Sequence, residues 1–273
     1  LGRTSSNECG GGSQKGAPAG FGVWVGHGMG MARFGRIGNT NDVYVAVRTL
    51  RSIESASHIS SVLCSRMLVK WIVCTVPEES RDAFGDAQQL WRPIRYADGF
   101  VGQVGGFDIA DAGAACVVAL WRDQASYERF MATVHDAVAD YNGQQSHYTS
   151  LDTQLYRAVS RMPGQQPKLN WALAEGKVLR VAQCSVPADR QTSFVRAQLE
   201  VWTPGMAATR GMLGGVFAKQ EGSDRFLVVT SWASETAHEL YTQRHLPELK
   251  ARAGADDDLE SIVGRRVELD PQW

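Results

Sequence analysis

Lys70–Pro77 reads KWIVCTVP, and 110 residues further on Arg180–Pro187 reads RVAQCSVP. Cys74 falls on Cys184, and the Val-Pro pair recurs. The correspondence then extends along the chain in order. Phe84, Ala87 and Gln88 match Phe194, Ala197 and Gln198. Trp91-x-Pro93 matches Trp202-x-Pro204, and Gly99–Gly102 matches Gly211–Gly214. Trp121 matches Trp232, Phe130 matches Tyr241, and His135 matches His245. The register drifts by only a residue or two, which small loop changes absorb. A repeat of this length makes one structural unit appear twice.

The same order of elements is expected in each copy. Leu68–Val76 is an apolar, β-branched run and so a strand. Glu78–Trp91 carries apolar residues at helical spacing, with Thr75-x-x-Glu78 as a capping box at its start. Strands follow at Phe100–Phe107 and Ala114–Trp121, the latter apolar throughout and therefore buried on both faces. Ser126–Tyr141 has a helical stripe, and Gln154–Val159 closes the unit. The second copy repeats this through Val178–Ser185, Asp189–Trp202, Met212–Lys219, Arg225–Trp232, Glu235–Arg252 and Glu260–Leu269. Pro247 interrupts its second helix or starts a separate one. A βαββαβ unit is a ferredoxin-like four-stranded sheet with helices on one face, and its other face needs cover. The predicted class is therefore α+β: tandem ferredoxin-like repeats over residues 67–161 and 177–273, joined by a linker at 162–176. The two sheets cover each other as a barrel-like pseudo-dimer within one chain.

Composition excludes several function classes. The 273 residues are 44% hydrophobic and 21% charged, with a net charge of −1. Residues 1–66 carry seven Lys/Arg against three Asp/Glu, so the remainder is near −5 and offers no footprint for nucleic acid. That first segment holds twelve of the 28 glycines and little periodicity, and it is expected to be a poorly structured tail, with the domain starting near Met67. The Gly-x-Gly patterns within Gly20–Gly30 lack the strand–turn–helix frame of a nucleotide loop. Five cysteines without a Cys-x-x-Cys suggest neither a disulfide framework nor a zinc cage. No apolar run approaches a membrane span, and no signal-peptide core is present. These features point to the cytoplasm, with no metal and no membrane partner. The acidic run Asp256–Asp258 lacks the spacing of a calcium loop.

Residues Gly211-Met-Leu-Gly-Gly215, the turn at Glu221–Asp224, and Arg225–Trp232 leading to Ser234 resemble the antibiotic biosynthesis monooxygenase family of the dimeric α/β-barrel superfamily. The first copy resembles the uncharacterised YdbC-like family, through Met67–Ile72, Gly99–Gly106, Trp121, Tyr127-x-x-Phe130-Met131 and His135-Asp136. The resemblance implies either cofactor-independent oxidation of phenols or quinols by molecular oxygen, or haem degradation, or binding without turnover. Quinol-oxidising relatives often carry a histidine where Phe130 and Tyr241 stand, and a second one that His135 and His245 fit. Haem-degrading relatives use an Asn on the first strand, absent from both copies here, and a Trp where Phe130 and Tyr241 stand. The function expected is a cofactor-independent monooxygenase acting on a small aromatic or quinol. The alternative is a non-catalytic small-ligand-binding or stress-associated module, and haem binding ranks below both.

Within that expectation His135 is the candidate base, since imidazole titrates near neutral pH, and Tyr127 is its candidate partner. Trp91, Trp121, Phe130, Met131, Tyr241 and His245 are candidate ligand-binding residues, able to form an aromatic pocket for a flat molecule. The plainer alternative assigns the tryptophans to the core and the histidines to structural contacts. The first copy is the expected seat of the site, because Pro247 places His245 at a helix end. No cofactor is expected, and two chains could associate as a homodimer.

Overall fold

The computed structural model describes residues 66–254 and 258–273. The expected tail over residues 1–66, its Gly-x-Gly stretch and most of the acidic run thus lie outside the described residues, apart from Arg66 and Asp258. The first repeat contains β1 (Leu68–Thr75), α1 (Arg81–Gln89), β2 (Phe100–Asp108) and β3 (Ala114–Trp121). It continues through α2 (Gln124–Phe130) and α3 (Asp136–Asn142), joined by a π-helical turn at Met131–His135, to β4 (Ser150–Met162). Helix α4 (Leu169–Glu175) leads to the second repeat: β5 (Val178–Ser185), α5 (Gln191–Ala197), α6 (Thr203–Ala207), β6 (Met212–Lys219) and β7 (Arg225–Trp232). It ends with α7 (Glu235–Arg244), α8 (Leu246–Ala253) and β8 (Ser261–Leu269).

The strands close into one antiparallel barrel in the order β1-β3-β2-β8-β5-β7-β6-β4. Each repeat contributes four neighbouring strands, and the repeats meet at two seams. At one seam Gly106–Asp108 of β2 pair with Val267–Leu269 of β8. At the other, β4 from Arg157 to Met162 pairs with β6 from Lys219 back to Gly215. Across the first seam Arg265 donates to the buried carboxylate of Asp108 at 2.8 Å. Closure removes every open sheet edge, which is how a barrel avoids unpaired backbone groups.

Alternation along the strands divides the apolar residues between two layers. Val69 and Trp71 of β1 and Cys116, Val118 and Leu120 of β3 meet Leu179, Val181, Leu227 and Val229 of the other repeat inside the barrel. A polar bridge crosses this interior: Trp71 Nε1 donates to Gln183 Oε1 at 3.0 Å, and Gln183 Nε2 donates to Gln154 Oε1 at 3.2 Å. All eight residues of β3 are buried, because one face looks into the barrel and the other meets the helices. Gly99 and Gly211 occupy matching turns at φ +80° and +91°, and a Cβ there would strike Ser126 and Ala237. Asp123 and Ser234 then cap the helices that follow β3 and β7, accepting from Ser126 N at 2.8 Å and Ala237 N at 3.1 Å.

Three details depart from the sequence reading. The capping box at Thr75 does not form; the turn at Glu78–Ser80 begins after Pro77, with no side-chain cap. The stretch 162–176 is not plain linker: α4 buries Leu169, Ala172 and Leu173, and Leu169 and Leu173 join the barrel core. The spacing of these three residues is helical, but the neighbouring prolines and glycine mask it. Strand β4 runs from Ser150 to Met162, beyond the expected Gln154–Val159, because pairing with β1 and β6 orders its polar ends.

Candidate functional site

In the second repeat the layer between helices and sheet is one continuous cluster, from Cys184 and Phe194 to Trp232 and Tyr241. In the first repeat the same layer is split. One cluster gathers Leu68, Ile94, Trp121, Tyr127 and Phe130, and the other Cys74, Val76, Phe84 and Ala115. Between them lies a cavity of about 220 Å³. Its floor is the outer face of the sheet, from Lys70, Ile72 and Cys74 of β1 with Val117 and Ala119 of β3. Its roof includes Trp91, Tyr127, Phe130, His135 and Asn142.

Five of the expected residues therefore come together here: His135, Tyr127, Trp91, Trp121 and Phe130. The Trp121 ring lies tilted on Phe130, with centroids 4.9 Å apart, and edge-on to Tyr127 at 5.8 Å. His135 sits at the end of the π-helical turn, half-buried, with its ring 5.4 Å from Trp91 and 5.7 Å from Phe130. Its Nδ1 is 2.8 Å from Asp136 Oδ1. A carboxylate at Nδ1 favours the tautomer with the proton there and leaves Nε2 as the acceptor. Burial raises the Tyr127 hydroxyl above its ordinary value, so it stays protonated at neutral pH.

The other three do not line the cavity. Met131 packs against the Trp121 cluster from outside. Tyr241 is fully buried against Trp232, with centroids 5.0 Å apart, and fills the place that Phe130 holds in the first repeat. His245 is exposed at the junction of α7 and α8, where Pro247 occupies the first turn of the second helix. Tyr141, at the end of the expected helical stripe, is 79% exposed.

Two further cavity residues were not singled out from the sequence. Lys70 is half-buried on the floor, its ammonium 5.4 Å from the centroid of the Tyr127 ring. No carboxylate pairs with it among the described residues, and burial lowers its pKa. Asn142 is buried in the roof; its Oδ1 accepts from Gln144 N at 2.9 Å, and its Nδ2 has no partner. The signal for Lys70 was a cation inside an apolar strand, on the face that must meet the helices. Part of the polar wall is satisfied: Trp91 Nε1 donates to Gln144 Oε1 at 2.9 Å, and Gln144 Nε2 to Gln88 Oε1 at 2.8 Å. Among the groups on its wall are a cation (Lys70), an unpartnered amide donor (Asn142 Nδ2) and an imidazole (His135), set between aromatic rings. Among the described residues no group of His, Cys, Asp and Glu is placed to hold a metal ion, and no helix is long and apolar enough to cross a membrane.

Comparison with known proteins agrees with this division of the chain. Residues 68–156 match a family described as a domain of unknown function, DUF4937. An uncharacterised protein of Bacillus subtilis, YdbC, is 29% identical over 92 residues, which make up 33% of this chain and 77% of that protein. Among solved structures, a proposed monooxygenase from Lactobacillus acidophilus superposes with a TM-score of 0.58 at 14% identity, over 75% of this chain and 94% of its own. A proposed monooxygenase from Fusobacterium nucleatum gives a TM-score of 0.61 at 8% identity, over 75% of this chain and 93% of its own. At such identities the likeness concerns the fold alone. The sequence match lies in the first repeat, which holds the cavity under Trp91 and His135, and the structural match spans both repeats. The chain thus shares the fold of these two structures, an eight-stranded α/β barrel, with both halves of the barrel carried on one polypeptide.

Proposed function

We propose that the first-repeat cavity binds a small phenol or quinol and oxidises it with molecular oxygen, without a cofactor. The observation that carries this reading is the pair of unpartnered donors, Lys70 and Asn142 Nδ2, on the wall of an aromatic cavity that His135 also lines. An unpaired, half-buried ammonium favours a ligand that is, or becomes, an anion. His135 Nε2 takes the phenolic proton, with Asp136 behind it to steady the imidazolium. Lys70 and Asn142 hold the resulting oxyanion. The electron-rich anion then reduces oxygen directly: one oxygen atom bonds to a ring carbon and the other leaves as water. The substrate supplies all the electrons, so a hydroquinone leaves as a hydroxyquinone. The protein's part is to orient, to exclude water and to keep the anion. The names of the two structural neighbours, both proposed monooxygenases, are consistent with this reading.

The test is oxygen uptake by the full chain with hydroquinones and naphthols, against an anaerobic control and with isotope-labelled oxygen. One labelled atom should appear in the product. His135→Ala should lower turnover by about 10²–10⁴-fold, the usual worth of a general base. His245→Ala, far less constrained by its surroundings, should leave it nearly unchanged. Saturable binding of the quinol with no oxygen uptake would replace this reading with that of a binding module.

A further inference from the structure

We infer that the second repeat carries its own ligand site, distinct in chemistry from the first: a pocket for an apolar carboxylate held by Arg180. The pocket lies between the outer face of β5 and the helices of the second repeat, with a volume of about 270 Å³. Phe194, Trp202, Met206 and Leu246 give it apolar walls, and Arg180 and Lys250 supply positive charge. Arg180 stands where the first repeat has Lys70, since the two residues open the matching stretches of the repeat.

Several observations independent of the pocket's shape point to an anion. Arg180 is half-buried, and no carboxylate pairs with it among the described residues. Its partner across β8 in the sheet register is Arg266, another cation. The carboxylate close to that pair, Glu235, lies 3.5 Å from Arg266 and serves that residue. Beside them His238 is buried, with both ring nitrogens unpartnered, and the hydroxyl of Tyr241 is also unpartnered. This corner of the molecule therefore holds two neighbouring guanidiniums, one carboxylate that serves Arg266, and neutral polar groups, which leaves Arg180 without a carboxylate of its own among the described residues. A guanidinium presents parallel N–H donors in a fixed fork that matches a carboxylate, which an ammonium does not. Arg also keeps its charge at every physiological pH, so this site needs a ligand that is already ionised. A flat or branched acid, with its apolar body against Phe194, Trp202 and Met206, meets each of these conditions.

Naphthoate and its neutral counterpart naphthamide are suitable probes, used on the full chain with isotope-labelled methionine methyl groups. Met206 lines this pocket, and no methionine lines the first cavity. The Met206 methyl signal, assigned by Met206→Leu, should therefore report on this site alone. Naphthoate should shift it saturably, and naphthamide should need at least about tenfold more ligand, the worth of a charge-assisted hydrogen bond. Arg180→Met should weaken naphthoate by about tenfold to a hundredfold, with partial recovery in Arg180→Lys. Lys70→Met should leave the Met206 response intact, so the result stands apart from any failure of quinol oxidation. Equal shifts from naphthoate and naphthamide on the wild-type chain, no shift at all, or equal binding of inorganic phosphate would each overturn the proposal. The wild-type comparison decides even if Arg180→Met does not fold.

Discussion

His238 shows how one substitution between the copies changes the chemistry of a position. It stands six residues after Trp232, as Tyr127 stands six after Trp121. Burial, with Arg180 and Arg266 nearby, lowers its pKa from 6.5 to about 4. The folded protein therefore holds it neutral where the unfolded chain would take up a proton. Stability is unaffected above the unfolded value and falls as pH drops from about 6.5 towards about 4. The loss attributable to this residue is roughly 3 kcal/mol. Urea unfolding at both ends of that window should show His238→Phe losing less than the wild type by about that amount. An identical loss in the two proteins would remove His238 from the account of acid sensitivity. The residue was not legible as special in the sequence, because a histidine between a tryptophan and a tyrosine on a helix fits an ordinary surface stripe. Lys70 and Asn142 escaped notice for a related reason. What sets them apart is the hydrogen-bond or carboxylate partner each lacks among the described residues, and a missing partner is a property of three-dimensional packing.

The strands were the most legible elements. Ala114–Trp121, Val178–Ser185, Met212–Lys219 and Arg225–Trp232 coincide with the observed strands to the residue. Short, apolar, β-branched runs bounded by Gly, Pro or charge admit few other readings. Helix α4 was missed because it is only seven residues long and sits among Pro163, Gly164 and Pro167. Its contribution is tertiary: Leu173 is buried in the barrel core, and the carbonyl of Ala172 accepts from Ser231 Oγ at 2.7 Å. Leu173→Ala should thus cost about 2–5 kcal/mol, as for other large-to-small core changes. Replacing Leu169–Glu175 by a Gly-Ser stretch of equal length should cost at least as much in the same unfolding assay. A change below about 0.5 kcal/mol, the level of an ordinary surface substitution, would return this segment to the status of a linker.

The two seams make the halves of the barrel depend on each other. A fragment covering only the first repeat would leave β2 and β4 as open edges and expose the inner face that carries Val69, Trp71 and Leu120. Such a fragment should self-associate, its β2 edge pairing with the β4 edge of a second copy, or aggregate. Light scattering on a purified fragment of residues 66–162 would check this, and a soluble monomer would argue against mutual coverage of the sheets. The doubled architecture was legible from the repeat itself, whereas the cavity was not, since it arises where two clusters fail to meet. In the intact chain the segment with α4 joins the halves and makes closure unimolecular, so for a monomeric chain the midpoint of unfolding should not depend on protein concentration, unlike that of a two-chain barrel; a midpoint that rises with concentration in thermal melts would show further association. The same covalent link has an evolutionary corollary. In a homodimer a codon change alters both pockets at once. In a fused duplicate each half can change on its own, and the matching positions already differ, lysine at 70 and arginine at 180.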